Sequence, residues 1–590
     1  MLNWSRKTRI WVASIAAAVL ALTALIWWLV GYKEDVWNVF VRSVTRKFLV
    51  RDMFPSWNPL HWTSFTYLVL VFVFGGLIAL ACWRFKKPET KEPSERDYYR
   101  HNSYRERGEW VRRTSSRSRV LSLCLAALSV LSMLYAITGW WNNDKDEANS
   151  YLGTTTYYVD NPDKLPSSLI PLTKGATRLN GSNCLFTNPH DVTNCVKQGT
   201  LPDNWDTRSA SMTGANIVMS RTSGSVPNTD IMEETLTYLY AQDGSGTWSS
   251  VRNGTNKQPL NGIVTWDGTN AAQACTFTGK YALNVAFGGK WGQNLDDTLA
   301  KDYPGLLYTH DDMWGYCKGA GEISSREPVI VLPVTEQQAY GRRTTARSAG
   351  VLIITGSPTG EPTIEHRTTV KAGELLGPSY PITLVAKQRE MLQWSAGRGN
   401  KNRLSFGYEP STVASQAGND SEYLLRDRDS GRLFWVTPLT PRASASQLLI
   451  AYSITPADET STGNLNQQRV YVLSDGDSRI VNMDDMQARV SQAIREQSPG
   501  FFTGDQPGKI SEFLPVSTTM WQAFAELNGR VVARIQVPSD SRVKPTVENL
   551  DGTSGTTPTK ATCTQDPKSL DKQQLSDCIA QFARELAGRN

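Results

Sequence analysis

Tyr308-Thr-His310-Asp311-Asp312 is the one place in this chain where an imidazole stands beside two carboxylates. That is the pairing general acid–base chemistry uses, so His310, Asp311 and Asp312 are the candidate site residues. No serine, cysteine or threonine stands at a motif-defined distance from them. The alternative is a polar loop next to Cys317. The other histidines are His61, His101, His190 and His366. None has metal-ligand spacing, and His366 lies in a strand-like stretch as a sheet-surface residue. The chain contains no HExxH, GxSxG, GxxxxGK[ST] or complete GxGxxG pattern. Two acidic turns, Asp427/Asp429/Gly431 and Asp475/Asp477 with Asp484/Asp485, carry the oxygens calcium favours but depart from the twelve-residue EF-hand loop. Hairpin and pre-helix turns account for both. No cofactor or metal is expected, and the chain reads as a non-enzyme.

The second chemistry-bearing group is cysteine. Cys184, Cys195, Cys275, Cys317, Cys563 and Cys578 all follow residue 142, an even set that reads as disulfides if this region is exported. Proximity favours Cys184–Cys195, Cys275–Cys317 and Cys563–Cys578, each contributing about 3–4 kcal/mol on a loop-entropy account. A zinc site is disfavoured because no CxxC exists. Cys82 and Cys124 lie in apolar stretches as packing residues.

What must position these groups begins with the first quarter of the chain. Residues 10–30, 62–83 and 120–141 are apolar and free of Asp, Glu, Lys, Arg and His. Each has the roughly 20 residues that cross a hydrocarbon core as a helix. The 590-residue chain nevertheless has a polar mean hydropathy of -0.36, so the long tail is hydrophilic. Net charge is only +6, but it is unevenly placed. Arg6, Lys7 and Arg9 precede the first stretch, and the segment 84–119 is dense in basic residues from Arg84 to Arg119. The positive-inside rule puts both on the cytoplasmic side. Residues 33–50 and everything after 141 then lie outside. The expectation is a multi-pass protein of the cell membrane with a cytoplasmic N-terminus and a large extracytoplasmic C-terminal region.

The absence of ionisable groups from the spans argues against a conduit. The first loop places Trp37, Phe40, Val41, Val44 and Phe48 at helical spacing, with basic residues between, as a helix lying on membrane lipid does. The segment 84–119 dilutes its basic residues with Glu89, Glu92, Glu95 and Asp97, so nucleic acid is not an expected partner.

The exported part divides by composition. Residues 142–327 are rich in Gly, Ser, Thr, Asn and Asp and hold four cysteines, a loop-rich domain held by disulfides. Short runs at Gly153–Val159, Ile217–Ser220 and Ala282–Phe287 read as strands. Residues 328–400 and 401–500 read as α+β modules. In the first, Val329–Val334 is a strand that Pro333 should end early or confine to an edge. A Gly356-Ser-Pro-Thr-Gly360 turn joins Gly350–Thr355 to Glu361–Thr368, and a helix runs from Pro381 to about Ala396. In the second, strands at Arg432–Thr437, Gln447–Thr455 and Arg469–Leu473 precede a helix over Met483–Gln497. Asn482 caps that helix, and Met486, Val490 and Ile494 form its apolar stripe. Residues 501–550 hold a hairpin, Met520–Leu527 and Arg530–Val537 about Asn528-Gly529. Residues 551–562 are a linker, and 563–590 a helix stapled by Cys563–Cys578.

The fold class is therefore a membrane protein: three N-terminal transmembrane helices followed by a β-rich, α+β, multi-module extracytoplasmic region. In plan, not in motifs, this resembles envelope subunits of bacterial secretion or conjugation assemblies. A membrane-anchored scaffold with protein partners in the membrane or envelope is the expected role. A cell-envelope hydrolase and an envelope sensor are the alternatives.

Overall fold

The computed structural model describes residues 147–169, 196–224, 229–241, 245–254, 258–286, 294–303, 305–340, 343–395, 408–410, 422–442, 447–503, 507–527 and 530–549, with 123, 124, 126, 127, 130 and 131. The first two apolar stretches, the linker, the C-terminal helix and Cys184, Cys195, Cys563 and Cys578 lie outside the described residues. Among those described, no helix is long and apolar enough to cross a membrane. The described positions of the third stretch are helical.

The described chain is β-rich with few helices. In order it forms β1 (Thr155–Val159), β2 (Val196–Gln198), helix α1 (Met212–Gly224), β3 (Thr229–Ile231), β4 (Thr237–Tyr240), β5 (Gly246–Gly254), β6 (Gln258–Trp266) and β7 (Gln273–Thr276). Next come α2 (Leu295–Asp302), β8 (Leu306–Leu307), β9 (Trp314–Lys318), β10 (Glu327–Tyr340), β11 (Arg343–Thr355), β12 (Thr363–Arg367), β13 (Thr369–Val370) and α3 (Ile382–Glu390). The remainder is β14 (Tyr408–Pro410), β15 (Tyr423–Arg426), β16 (Leu433–Pro441), β17 (Ala451–Pro456), β18 (Thr460–Ser461), β19 (Gln468–Val472), α4 (Met483–Gln497), β20 (Lys509–Ser517), β21 (Met520–Leu527), β22 (Arg530–Pro538) and β23 (Thr546–Asn549).

The chain divides into two compact units. The smaller takes residues 1–151, 296–307 and 336–347. Within it the Tyr151 hydroxyl accepts from the Ala346 amide at 3.0 Å, and the Arg347 guanidinium lies 5.7 Å from the Tyr151 ring centre. The larger takes the rest and contains almost all the sheet. Its seven-stranded sheet runs β14-β16-β17-β19-β1-β2, with β15 also on β16. β1 pairs in parallel with both β19 and β2, while the other pairings of this sheet are antiparallel. β1 and β2 thus share one sheet with β14 to β17 and β19. A four-stranded meander, β20-β21-β22-β23, and a five-stranded sheet, β3-β5-β6-β7 with β4 on β5, complete the larger layers. A further sheet is ordered β12-β11-β10-β8 with β9 also on β10, and β13 pairs with β18.

Burial explains the local choices. Met486, Val490 and Ile494 recur at helical spacing along α4 and are buried against Phe513, Trp521, Phe524, Ile535 and Val537 of the meander. The Asn482 side chain accepts from the amides of Asp484 and Asp485, satisfying donors that a helix start leaves open. The predicted hairpin forms, with Leu527 opposite Arg530. The 356–360 turn joins β11 to β12, with Thr355 opposite Thr363 and Gly360 at φ +83°.

Several expectations are corrected. Ile217–Ser220 lies inside α1, not in a strand. Gly214 carries that helix against β22: a Cβ there would stand 2.5 Å from Val531 Cγ2. The described part of the run at Ala282–Phe287, residues 282–286, forms no named strand and contributes one bridge, Ala286 to Asn294. β10 passes through Pro333 without ending. Its pairing with β9 covers Glu327 to Val331 and so stops short of the proline, whose missing donor costs that ladder nothing. The helix expected to reach Ala396 is α-helical only to Glu390 and tightens to a 3-10 turn over Met391–Trp394.

Candidate functional site

His310, Asp311 and Asp312 form one 3-10 turn. Asp312 is buried and points away from solvent chemistry. Its carboxylate accepts from the Thr383 amide at 3.1 Å and the Thr309 hydroxyl at 3.0 Å, and also from the Thr383 hydroxyl. Thr383 is in the first turn of α3, a helix with no side-chain cap of its own. Asp312 therefore supplies from a distant turn the anionic cap that α3 lacks. Burial pushes its acid up to about 6, against the pull of those hydrogen bonds. These bonds fasten the His310–Asp312 turn to the start of α3.

The acidic turns are equally committed. Asp427 Oδ2 accepts from the Ser430 amide at 3.1 Å and closes the β15–β16 turn, where Gly431 takes φ +69°. Asp429 accepts from Asn204 at 3.0 Å. Asp475 accepts from the Ser167 hydroxyl at 2.8 Å, and Asp477 binds the Arg479 Nε at 2.9 Å. Among the described residues no group of His, Cys, Asp and Glu is placed to hold a metal ion. His366 stands half-buried on β12, 2.7 Å from the Ala349 carbonyl.

A second buried polar cluster was not legible in the sequence. Arg208, 6% exposed, precedes α1 in the interior of the larger unit. Its guanidinium lies 5.1 Å from the Trp248 ring centre and 5.4 Å from that of Tyr238. It donates to the Leu424 carbonyl at 3.0 Å, which also accepts from the Tyr240 hydroxyl at 3.2 Å. Glu512, 1% exposed, stands 3.9 Å away. Burial works against the charge on Arg208, but Tyr240 and Glu512 overcome it and hold the guanidinium's pKa above the ordinary value. Burial pushes the Tyr240 phenol up to about 12.

The same cluster caps α1. Ser211 Oγ accepts from the Gly214 amide at 2.9 Å and donates to Glu526 at 2.6 Å. Glu512 accepts from the Met212 amide at 2.8 Å, and Gln522 donates to the Arg208 carbonyl at 2.8 Å. Two carboxylates from β20 and β21 thus face a helix N-terminus, where the peptide dipoles favour negative charge. Glu512 takes φ +48°, alone among the described non-glycine residues, where the β20–β21 register shifts between Ser511 and Leu514. The bulge turns its carboxylate inward at a backbone cost on the order of 1–3 kcal/mol. Nothing in this geometry opens to a substrate; it is a clamp joining the 206–214 segment to the meander and to β15.

The Cys275–Cys317 disulfide forms as expected, with Cα atoms 5.9 Å apart, and ties β7 to β9. Beside it in sequence, Gln273, Ala274, Glu322, Ile323 and Arg326 line a solvent-open concavity of about 600 Å³. Arg326 donates from Nε and Nη2 to the Gly321 carbonyl, at 3.0 and 2.7 Å, so its charge fixes its own loop. No family model, curated protein or solved structure matches this chain.

Proposed function

We propose that the chain is a membrane-anchored, extracytoplasmic interaction protein, a subunit of a bacterial cell-envelope assembly of the secretion or conjugation-like kind. The observation that carries this is the Cys275–Cys317 bridge, which lies in the region that basic-residue placement sends outside. Disulfides persist in oxidising compartments and are rare in the cytosol. Charge and sulfur chemistry therefore support the same side of the membrane.

The described positions of the third apolar stretch fit an anchor. Leu123, Val130 and Leu131 are exposed at 62%, 52% and 60%, apolar side chains whose natural cover is lipid. In the larger unit Asp312 and Glu512 each bond a helix-start amide, and Glu526 accepts from the Ser211 hydroxyl that caps one. Crosslinking of the full chain in native membranes, followed by identification of the co-purified proteins, tests the reading. Reproducible capture of envelope proteins is expected. Recovery of the chain alone in every detergent contradicts a subunit role.

A further inference from the structure

β7 ends its sheet, and part of its outward main chain faces the concavity beside the Cys275–Cys317 bridge. The Phe277 amide donates to the Asn261 carbonyl at 2.9 Å, and β6 and β7 pair antiparallel from there, with Ala274 opposite Val264. In such a ladder alternate residues turn both main-chain groups toward the partner strand, and the residues between turn both away. Counted back from Phe277, Ala274 is one that turns away. Among the described residues nothing bonds its outward amide or carbonyl.

The facing wall is the loop 319–326, which joins β9 to β10 beyond the Lys318–Glu327 pair. Its shape is held from within. The Glu322 carbonyl accepts from the Ser325 amide at 3.0 Å and the Ser325 hydroxyl at 2.8 Å. Arg326 spends Nε and Nη2 on the Gly321 carbonyl, and its Nη1 makes no bond among the described residues. The disulfide joins Cys275, next to Ala274, to Cys317, two residues before the loop. The two walls are therefore spaced before any ligand arrives, which lowers the cost of binding one.

The lining narrows the ligand. The Arg326 Nη1, the Ala274 amide and the exposed Gln273 side chain are donors, the set a carboxylate satisfies. Glu322, also exposed on the concavity, opposes a small free anion but attracts a chain that carries a cation behind its carboxylate. The Ile323–Ser325 turn packs against β7, so no strand can run through between them. A chain end can enter, and about 600 Å³ falls within the range of ligand sites, roughly 300–1,000 Å³.

We propose that this concavity captures the C-terminal end of a partner peptide. The terminal carboxylate sits on Arg326 Nη1, the peptide main chain bonds Ala274, and a basic side chain just upstream faces Glu322. The proposal rests on the interaction role above and gives it a site and a partner chemistry.

Randomised decapeptides with free C-termini, selected on the purified full chain with its disulfides intact, provide the test. The selected peptides should carry Lys or Arg near their ends. They should lose affinity about tenfold or more when an amide replaces the terminal carboxylate. Sodium acetate at matching concentration should not displace them. Ser324→Trp fills the concavity and leaves Arg326 on Gly321. Ala274→Pro removes the outward amide, which the β6 ladder does not use. Each should weaken the selected peptides about fivefold or more. Failure to select any carboxylate-dependent peptide overturns the proposal. So does binding that Ser324→Trp leaves unchanged. Crosslinking of the wild-type chain in native membranes reports on the interaction role separately: envelope partners captured without any carboxylate-dependent peptide would overturn the concavity and leave that role standing.

Discussion

Arg208→Met removes the cation from the interior clamp while keeping an unbranched side chain between Trp248 and Tyr238. Glu512 then remains as a carboxylate 1% exposed, with the Met212 amide still bonded but its cation gone. Breaking a buried pair by deleting one partner costs about 3–5 kcal/mol, and most of that is the stranded charge. Glu512→Gln keeps an acceptor for Met212 and removes the charge. Arg208 retains the Leu424 carbonyl and both rings, so a smaller loss of about 1–3 kcal/mol is expected. In the double variant no charge is stranded, and its loss should fall short of the sum by about 1–3 kcal/mol. A chain of several units need not unfold in one step, so a local readout is required. Hydrogen exchange of the 206–224 segment provides it, because the Met212 and Gly214 amides are bonded within the cluster. Faster exchange in Arg208→Met, with partial recovery in the double variant, is expected. Single variants that each shift exchange by less than about 0.5 kcal/mol, or that add without coupling, refute the clamp.

Three further outcomes follow from the same geometry. Replacing Cys275 and Cys317 by serine releases a crosslink across 42 residues and should cost about 4 kcal/mol, read as a lower urea midpoint in the oxidised chain. Asp312 is raised from 3.8 to about 6, so the folded state binds its proton more readily than the unfolded chain does. Its contribution is full below about pH 4 and lost as pH rises through about 6, a swing of about 3 kcal/mol. Stability measured from pH 4 to 7 should lose that slope in Asp312→Asn. Asn482→Ala removes the acceptor for the Asp484 and Asp485 amides and should cost about 1 kcal/mol, seen as faster exchange in the first turn of α4.

The parts legible in the sequence are those whose signal is local. Asn482, two aspartates and a 3.6-residue apolar stripe specify α4 within a few turns of chain. The Asn528-Gly529 dipeptide between alternating strands specifies the β21–β22 hairpin. The Cys275–Cys317 pairing followed from proximity. What escaped depends on distant chain. α1 contains two glycines and several β-branched residues, which favour a strand locally; close packing on Val531 and capping by Glu512 and Glu526 make it a helix. Its S-M-T-G start lacks the glutamate of a capping box because the carboxylates arrive from β20 and β21, about 300 residues later. The part Asp312 plays at the start of α3 was hidden because its partner, Thr383, is 71 residues away. The insertion of β1 in parallel beside β19 likewise joins segments 313 residues apart, beyond the reach of periodicity.

The account rests on which side of the membrane the β-rich region occupies. Single cysteines at Ser324, an exposed residue by the concavity, and at Ser115, in the basic loop, are placed in chains lacking Cys82 and Cys124. A membrane-impermeant maleimide is applied to spheroplasts. The account predicts labelling at position 324 in intact spheroplasts and at position 115 only after the membrane is opened. The reverse pattern, or a chain that leaves the membrane in carbonate, would contradict it.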